Sequence, residues 1–342
     1  MTSDRPTPKT LLLVHTKGMR LPFALIALRD EMLRRQPDLS VRYFARDFTG
    51  LSPVQRASQT HELLDVCATA DIVACETNAL PPEAEKVAPA GQRRVFLPPP
   101  KQDMLESPLK KPRKALPYTD IVVQNERYRD YYAWLYPMGV DDAITPLGLP
   151  TVDLLASEGR RRAMRERARE LVPQARGRKI VTLSMHFDAR AILGNVDLPK
   201  MAAEIGHEYV LLLDAPGVFP ALAGYGRDLA DFLCNAERLF THTEALAVAD
   251  VLVSTRLGDA VYFSATGNPL ALFARGPEPV PDLVGALMIG TLDEIPRLLA
   301  EGQDEAALAG FRAAYLAPNA LGNTARLAGY LLGEAAADEP SI

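Results

Sequence analysis

The feature that most constrains this chain is an alternation of short apolar runs with amphipathic stretches, which runs through the sequence in two successive series. In the first series, Leu11–His15 reads as a buried strand. Leu21–Arg35 then sets Leu21, Leu25, Leu28 and Met32 on one helical face, with Pro22 in the first turn. Val41–Phe44, Asp71–Cys75, Arg94–Leu97, Asp120–Gln124 and Ala143–Pro146 read as further strands. Pro53–Ala68, with Ser52 as its N-cap, and Glu126–Leu135 read as helices. The second series repeats the theme. Its strands are Lys179–Ser184, Tyr209–Leu213, Arg238–Thr241, Asp250–Ser254 and Pro269–Phe273. Its helices are Thr243–Ala249 and Gly258–Thr266, before a mostly helical tail from Leu292 to Leu332. Strands alternating with helices demand parallel sheets joined by crossovers, and two such series predict an α/β protein of two Rossmann-like, doubly wound domains facing a cleft.

The expected organisation is a first domain over residues 1–150, a linker helix over 151–177, a second domain over 178–320 and a C-terminal helix and tail over 321–342. The helix read from Thr151 to Leu171 carries Arg160, Arg161, Arg162, Arg165, Arg167 and Arg169, which is expected to be a solvated basic face. A length of 342 residues with 48% hydrophobic content suffices for two cores. A net charge of −5 argues against a general nucleic-acid partner. Cys67, Cys75 and Cys234 are scattered among apolar residues without a CxxC pair, so they read as buried thiols of a reducing compartment. No charge-free segment reaches membrane-span length, and the run Leu11–Val14 is too short for a signal-peptide core. The expectation is therefore a cytoplasmic protein, with peripheral contact at the inner membrane face left open.

Ligands of open parallel sheets bind outside the carboxyl ends of strands. The loops after the expected strands are therefore the candidate sites. His15 to Arg20 follows the first strand, and Lys17 and Arg20 would draw an anion to the start of the next helix. The aperiodic stretch Lys101–Lys114 contains Lys110 and Lys111 and could hold a phosphorylated acceptor or an anionic surface. Gly148 to Asp153 reads as a turn into a helix capped by Thr151 or Asp153. Ser184 to Arg190 is a strongly polar strand exit. His186 there suits acid–base work, and Arg190 suits bidentate phosphate binding. Ser254, Thr255, Arg256, Gly258 and Asp259 open a helix with hydroxyls, free backbone N–H groups and a guanidinium, a set that suits a diphosphate. His242 starts a helix after an expected strand and could face the cleft, whereas His61 and His207 read as structural. No spacing suits a metal ion, and no GxGxxG, GxSxG or Walker A sequence is present.

From about Val95 to Leu332 the chain resembles the GT-B superfamily and, within it, the CDP-glycerol glycerophosphotransferases. Ser107-Pro108-Leu109-Lys110-Lys111 is similar to the end of that family's His-Gly-Thr-Pro-Leu-Lys segment. Tyr118–Val123 matches its Tyr-Thr-Asp-Ile-Val-Val strand, with the aromatic helix Tyr128–Trp134 behind it. Gly148–Asp153 matches its Gly-x-Pro-x-x-Asp turn. Ala249–Arg256 echoes its Ala-Asp-Val-Leu-Ile-Thr-Asp-Tyr-Ser-Ser element, followed by Gly267–Phe273. Phe311–Leu332, with Gly322-Asn323-Thr324-Ala325-Arg326, resembles its closing helix. The departures are equally specific. Leu105-Glu106 stands where the family has His-Gly, Asp214-Ala215-Pro216 replaces a His-Pro, and Thr255-Arg256-Leu257-Gly258 replaces Asp-Tyr-Ser-Ser.

The resemblance implies a nucleotide-diphosphate-dependent transferase of cell-envelope polymer synthesis, which moves a glycosyl or glycerol-phosphate group to an acceptor hydroxyl. Its donor would be CDP- or UDP-linked, its acceptor phosphorylated or lipid-linked, and no bound cofactor or metal is required. Ser184, Arg190, Ser254, Thr255, Arg256, Gly258 and Asp259 would bind the donor. His186 or His15 would act as the base, and Lys17, Arg20, Lys110 and Lys111 would bind the acceptor's anion. Two other readings stay open. A sugar-nucleotide 2-epimerase would use Asp188, Asp214 or Asp259, and a non-catalytic nucleotide-binding or scaffold protein would explain the missing histidine motifs.

Overall fold

The computed structural model describes residues 8–16, 21–47, 50–76, 79–98, 117–129, 141–185, 189–215, 229–236, 239–273 and 288–334; for residues 141 and 189–191 it describes the backbone alone. The chain divides into two compact units. The first takes the described residues up to Asp153 and those from Pro318 onward, and the second runs from Leu154 to Ala317.

In the first unit the strands are β1 (Thr10–Thr16), β2 (Ser40–Arg46), β3 (Ile72–Cys75), β4 (Arg93–Phe96), β5 (Asp120–Val122) and β6 (Ile144–Thr145). Helices α1 (Phe23–Arg35), α2 (Pro53–Cys67) and α3 (Ala84–Val87) lie between them. The sheet order is β2-β1-β3-β4-β5-β6 and every pairing is parallel. Leu11–Val14 is wholly buried because β1 is covered on both faces, which is why it reads as an unbroken apolar run. Ser52 caps α2 as expected: its hydroxyl accepts from Gln55 N while Gln55 Oε1 accepts from Ser52 N.

The second unit begins with α4 (Pro150–Ala156), which straddles the division, and α5 (Glu158–Leu171). Strands β7 (Lys179–Ser184), β8 (Tyr209–Asp214), β9 (Leu233–Asn235), β10 (Val251–Ser254), β11 (Leu270–Phe273) and β12 (Met288–Ile289) come after them. Among them lie α6 (Ala189–Gly194), α7 (Leu198–Ile205), α8 (His242–Val248) and α9 (Leu257–Ser264). Helices α10 (Ile295–Glu301), α11 (Glu305–Tyr315) and α12 (Asn323–Leu332) close the chain, the last of them on the first unit. The order β12-β11-β10-β7-β8-β9 is again wholly parallel. Alternate residues of the central strands feed two separate cores. Val181, Leu183, Leu211, Leu213, Val251 and Val253 pack with Leu193, Leu198, Met201 and Ile295. Ile180, Val210 and Leu212 pack on the other face with Ala168, Val172, Ala245 and Val248. Helices on both faces of a parallel sheet define the doubly wound architecture, and each Val or Leu so buried contributes on the order of 1.5–3 kcal/mol.

Three local expectations are corrected. The helix expected from Thr151 to Leu171 is two helices, broken where the Ser157 hydroxyl accepts from Arg160 N and caps α5. The strand expected at Arg238–Thr241 lies earlier, at Leu233–Asn235. Leu239 and Phe240 instead turn back onto the core as the lead-in to α8. The arginines of α5 do not share one solvated face. Arg160, Arg162, Arg167 and Arg169 are exposed, but Arg161 is buried and bound to Glu158, and Arg165 pairs with Glu158 at 2.5 Å.

The two matching motifs at Gly148–Asp153 and Gly322–Arg326 meet inside the first unit. Gly148 adopts φ +82°, and the chain there passes directly against Asn319 and Asn323. Asp153 does not cap its own helix. Its carboxylate accepts from Asn323 N (3.0 Å), Thr324 N (2.7 Å) and Thr324 Oγ1 (2.7 Å), and so caps α12 from a distance in sequence. Gln124, Asn319 and Asn323 are all buried and bonded to the backbone around this junction.

Candidate functional site

β7 is the first strand of its sheet; the chain moves from it to β8 and β9, then returns to lay β10 on the opposite side. The strand order therefore reverses between β7 and β10, the place where open α/β sheets form a crevice. The register aligns Ser254, Ser184 and Asp214 in one row across β10, β7 and β8, at or next to each strand's carboxyl end. Three polar residues thus stand side by side at adjacent strand ends.

Two helix starts complete it. At α9, Asp259 sits in the first turn, where a carboxylate complements the free N–H groups. It is 1% exposed and surrounded by donors. Ser184 Oγ donates to its Oδ2 at 2.6 Å and Ser254 Oγ at 3.2 Å, while His242 Nε2 lies 3.0 Å from Oδ1 and Arg256 Nη1 3.8 Å from it. At α8, Thr241 and Glu244 form a capping box that fixes His242 as the first helical residue. Its ring is thereby held with Nδ1 2.5 Å from Asp214 Oδ2.

Both ring nitrogens of His242 thus face carboxylate oxygens. An ionised carboxylate only accepts, so each nitrogen must carry a proton, and the ring is an imidazolium. Burial opposes this charge, but Asp259 and the hydrogen bonds to Asp214 and Asp259 outweigh it and raise the pKa from 6.5 to about 10. For Asp259, burial would raise the pKa, yet the charge and hydrogen bond of His242, with Arg256 and Ser184, hold it well below the usual carboxylate range. The cluster is layered. Asp259 and Asp214 lie deepest, with side chains 1% and 10% exposed, and the two cations lie above them, Arg256 at 20% and His242 at 36%.

The expected donor residues are therefore only partly gathered. Ser184, Ser254, Arg256 and Asp259 form one connected group, and Gly258 is buried beside them. Thr255 follows β10, its N–H bonded to Ser184 O. The hydroxyls of Ser184 and Ser254, expected at the donor, are turned to Asp259. Both are fully buried and donate to Asp259, so they hold the site from beneath. Arg190 lies at the start of α6 with its side chain outside the described residues, and His186, Asp188, Lys17, Arg20, Lys110 and Lys111 also lie outside them. In the first unit, His15 sits near the end of β1, its Nδ1 3.1 Å from Thr16 O. His61 and His207 are surface residues beside Asp65 and Glu208 rather than structural ones. The cysteines are buried as expected, and burial pushes Cys67 and Cys234 up to about 11 and Cys75 up to about 12.

Sequence reasoning names Asp214 and His242 separately without joining them. The signal that could join them is Thr241-His242-Thr243-Glu244, a capping-box pattern that places His242 at a helix start just before β10. Among the described residues no group of His, Cys, Asp and Glu is arranged to hold a metal ion, and no helix is long and apolar enough to cross a membrane.

No family model matches the chain, and no curated protein matches it by sequence. Solved structures do match by fold. The wall teichoic acid polymerase TagF superposes with a TM-score of 0.70 at 11% identity, covering 94% of this chain and 88% of that one. A TagF structure soaked with CDPG gives 0.69 at 11% identity, with the same coverage. Anabaena Alr3699/HepE in complex with UDP gives 0.50 at 12% identity, covering 94% and 99%. The likeness is one of fold: two doubly wound α/β units of the GT-B type, at a sequence distance that carries no residue-level function.

Proposed function

We propose that this protein is a GT-B-type transferase that takes a CDP- or UDP-linked donor at the carboxyl ends of β7, β8 and β10. It moves a glycosyl or glycerol-phosphate group from that donor to an acceptor hydroxyl in cell-envelope polymer synthesis. The observation that carries the reading is the row Ser254–Ser184–Asp214 at the reversal of strand order, overlaid by two cations. Anionic ligands suit such a place, and the fold is shared with TagF and with a HepE structure that contains UDP.

In the reaction the acceptor oxygen attacks the anomeric carbon, or the terminal phosphorus of a CDP-glycerol-type donor. The bond to the departing nucleotide phosphate breaks, and that phosphate leaves with the electron pair. The acceptor's proton passes to a base, a role we assign to His186 or His15. His242 is not available for it, because both of its nitrogens are already protonated and bound. Arg256, the backbone at Thr255 and Gly258, and Arg190 serve the phosphates. Ser184 and Ser254 serve them by fixing Asp259, and Lys17, Arg20, Lys110 and Lys111 serve a phosphorylated or lipid-linked acceptor at a membrane face. The charge that grows on the leaving phosphate is what fixed cations in a water-poor site stabilise best.

Of the carboxylates a 2-epimerase would use, Asp214 and Asp259 are both engaged by His242, and Asp188 lies outside the described residues. Titration calorimetry with CDP-glycerol, UDP-glucose, UDP-N-acetylglucosamine, CDP and UDP is the test. Binding of at least one donor is expected, and donor turnover with an acceptor present separates a transferase from a non-catalytic binder. Absence of heat with every nucleotide refutes the reading.

A further inference from the structure

We propose that His242 is the resident cation of this site: an imidazolium clamped between Asp214 and Asp259 that presents fixed positive charge to a bound diphosphate and exchanges no proton with it. The inference deepens the donor-site reading above and rests on it for the identity of the ligand.

Geometry carries the argument. Among the described residues, those around the ring are Asp214 from β8 and Asp259 from α9, with Arg256 and the neutral hydroxyl of Ser184 set against Asp259 in turn. On its own helix, Glu244 turns back to Thr241 N. Among the described residues, two carboxylates stand against one imidazolium and one guanidinium, so the described cluster carries no net charge. What matters is its layering. The carboxylates lie beneath and the cations above, so an approaching anion meets His242 and Arg256 first. A second, independent observation lies beside the ring: Arg256 Nε is buried and has no hydrogen-bond partner among the described residues, a donor left open at the same place. The hydroxyls of Ser184 and Ser254 are committed to Asp259, so within this cluster the two cations are the groups that meet the phosphate charge.

Because both ring nitrogens are committed, His242 acts through charge and position. Asp214 and Asp259 therefore do more than fill space: they fix the ring's protonation state as well as its orientation.

The test has two arms on the full chain. In the first, nuclear magnetic resonance follows the His242 ring, assigned through its own backbone. Both ring nitrogens are expected to keep the N–H form from about pH 6 to about pH 8.5. In Asp214→Asn the ring should begin to lose its proton inside that range. A wild-type ring that titrates there overturns the proposal. In the second arm, calorimetry measures inorganic pyrophosphate. Loss of one nearby charge in His242→Gln should weaken binding about tenfold or more, and His242→Arg should restore most of it. Equal affinity in His242→Gln, or no pyrophosphate binding by a wild-type protein whose ring is an imidazolium, overturns the proposal. Should His242→Gln fail to fold, the wild-type ring titration and the His242→Arg affinity still decide. Pyrophosphate binding that is sensitive to His242, in a protein that binds no nucleotide donor, upholds this inference and sinks the transferase reading instead.

Discussion

Replacing Gly148 by alanine should destabilise the first unit far more than a glycine-to-alanine change elsewhere in it. Gly148 has φ +82°, a region that L side chains enter at a cost of about 1 kcal/mol. A Cβ built there would lie inside contact distance of Asn323 Oδ1, 2.5 Å from Asn323 Cγ and 2.9 Å from Asn319 Cβ. Neither asparagine can step aside cheaply. Asn323 Nδ2 is bonded to Leu149 O and its Oδ1 to Arg326, while Asn319 Nδ2 is bonded to Gln124 O and Pro146 O. Overpacking of such a site adds about 1–3 kcal/mol, for a total near 3 kcal/mol. At roughly 2–4 °C per kcal/mol for a unit of this size, the melting midpoint should fall by about 6–12 °C. Gly91 is the control. It has φ +80° in the same unit, but among the described residues beyond its chain neighbours no atom lies within 4 Å of its would-be Cβ. Gly91→Ala should therefore incur the backbone cost alone, a drop of about 2–4 °C. Circular dichroism melts of the two variants in parallel decide it. If they melt together, the close approach of the turn at Gly148 to the start of α12 is not what that glycine is for.

Asp153→Ala removes three hydrogen bonds from the start of α12 and should cost about 2–3 kcal/mol, visible as faster amide exchange at Thr324. Unchanged exchange there would dissociate Asp153 from the cap. Asp259→Asn leaves the His242 and Arg256 charges without their deepest partner and should lower the second unit's stability by about 3–5 kcal/mol in urea unfolding; a loss under about 1 kcal/mol contradicts the ionic account. The His242 pKa is raised from 6.5 to about 10, so its pairing stabilises the fold fully below pH 6.5 and that contribution fades as pH climbs towards 10. Melts of wild type and Asp214→Asn should differ most just below pH 6.5 and draw together as the pH rises towards 10, and a constant gap would count against the linkage.

Most of the fold was legible because its central strands are buried on both faces. Leu11–Val14 and Val251–Val253 are continuous apolar runs and Ile180–Leu183 is broken only by Thr182, so their placement needed nothing beyond the local sequence. The strand misplaced at Arg238–Thr241 shows the limit of that signal. Leu239 and Phe240 are apolar because they pack against the core from a turn, whereas the true strand Leu233–Asn235 is three residues long and ends in a polar residue. The break at Ser157 was likewise hidden, since a serine inside a helical pattern looks like any solvated position until its hydroxyl is seen to cap α5. The roles of Gly148 and Asp153 were masked for a different reason. Their partners lie far along the chain, at Asn319, Asn323 and Thr324, so a turn that looks self-contained in sequence is half of a junction.

The site divides along the same line. Ser184, Ser254 and Asp259 were visible as polar residues at strand exits and a helix start, each by local pattern. That they form one group with Asp214 and His242 depends on β10 returning to lie beside β7, a fact of sheet order that no window of sequence contains. The adjacency also changes what the residues are. Taken singly, a serine and a histidine at strand ends suggest a phosphate ligand and a proton carrier. Brought together, the serines turn inward to Asp259, Asp259 and Asp214 commit oxygens to His242, and the histidine loses the free nitrogen that a base requires. A buried pair of carboxylates is costly, and apolar residues of similar size would give a sheet end of equal or greater stability. On the donor-site reading, the gain that offsets this cost is a pair of cations held where the second sheet reverses its strand order, with their counter-charges beneath them. That arrangement favours an anion that arrives from solvent over any ligand that must be deprotonated at this spot.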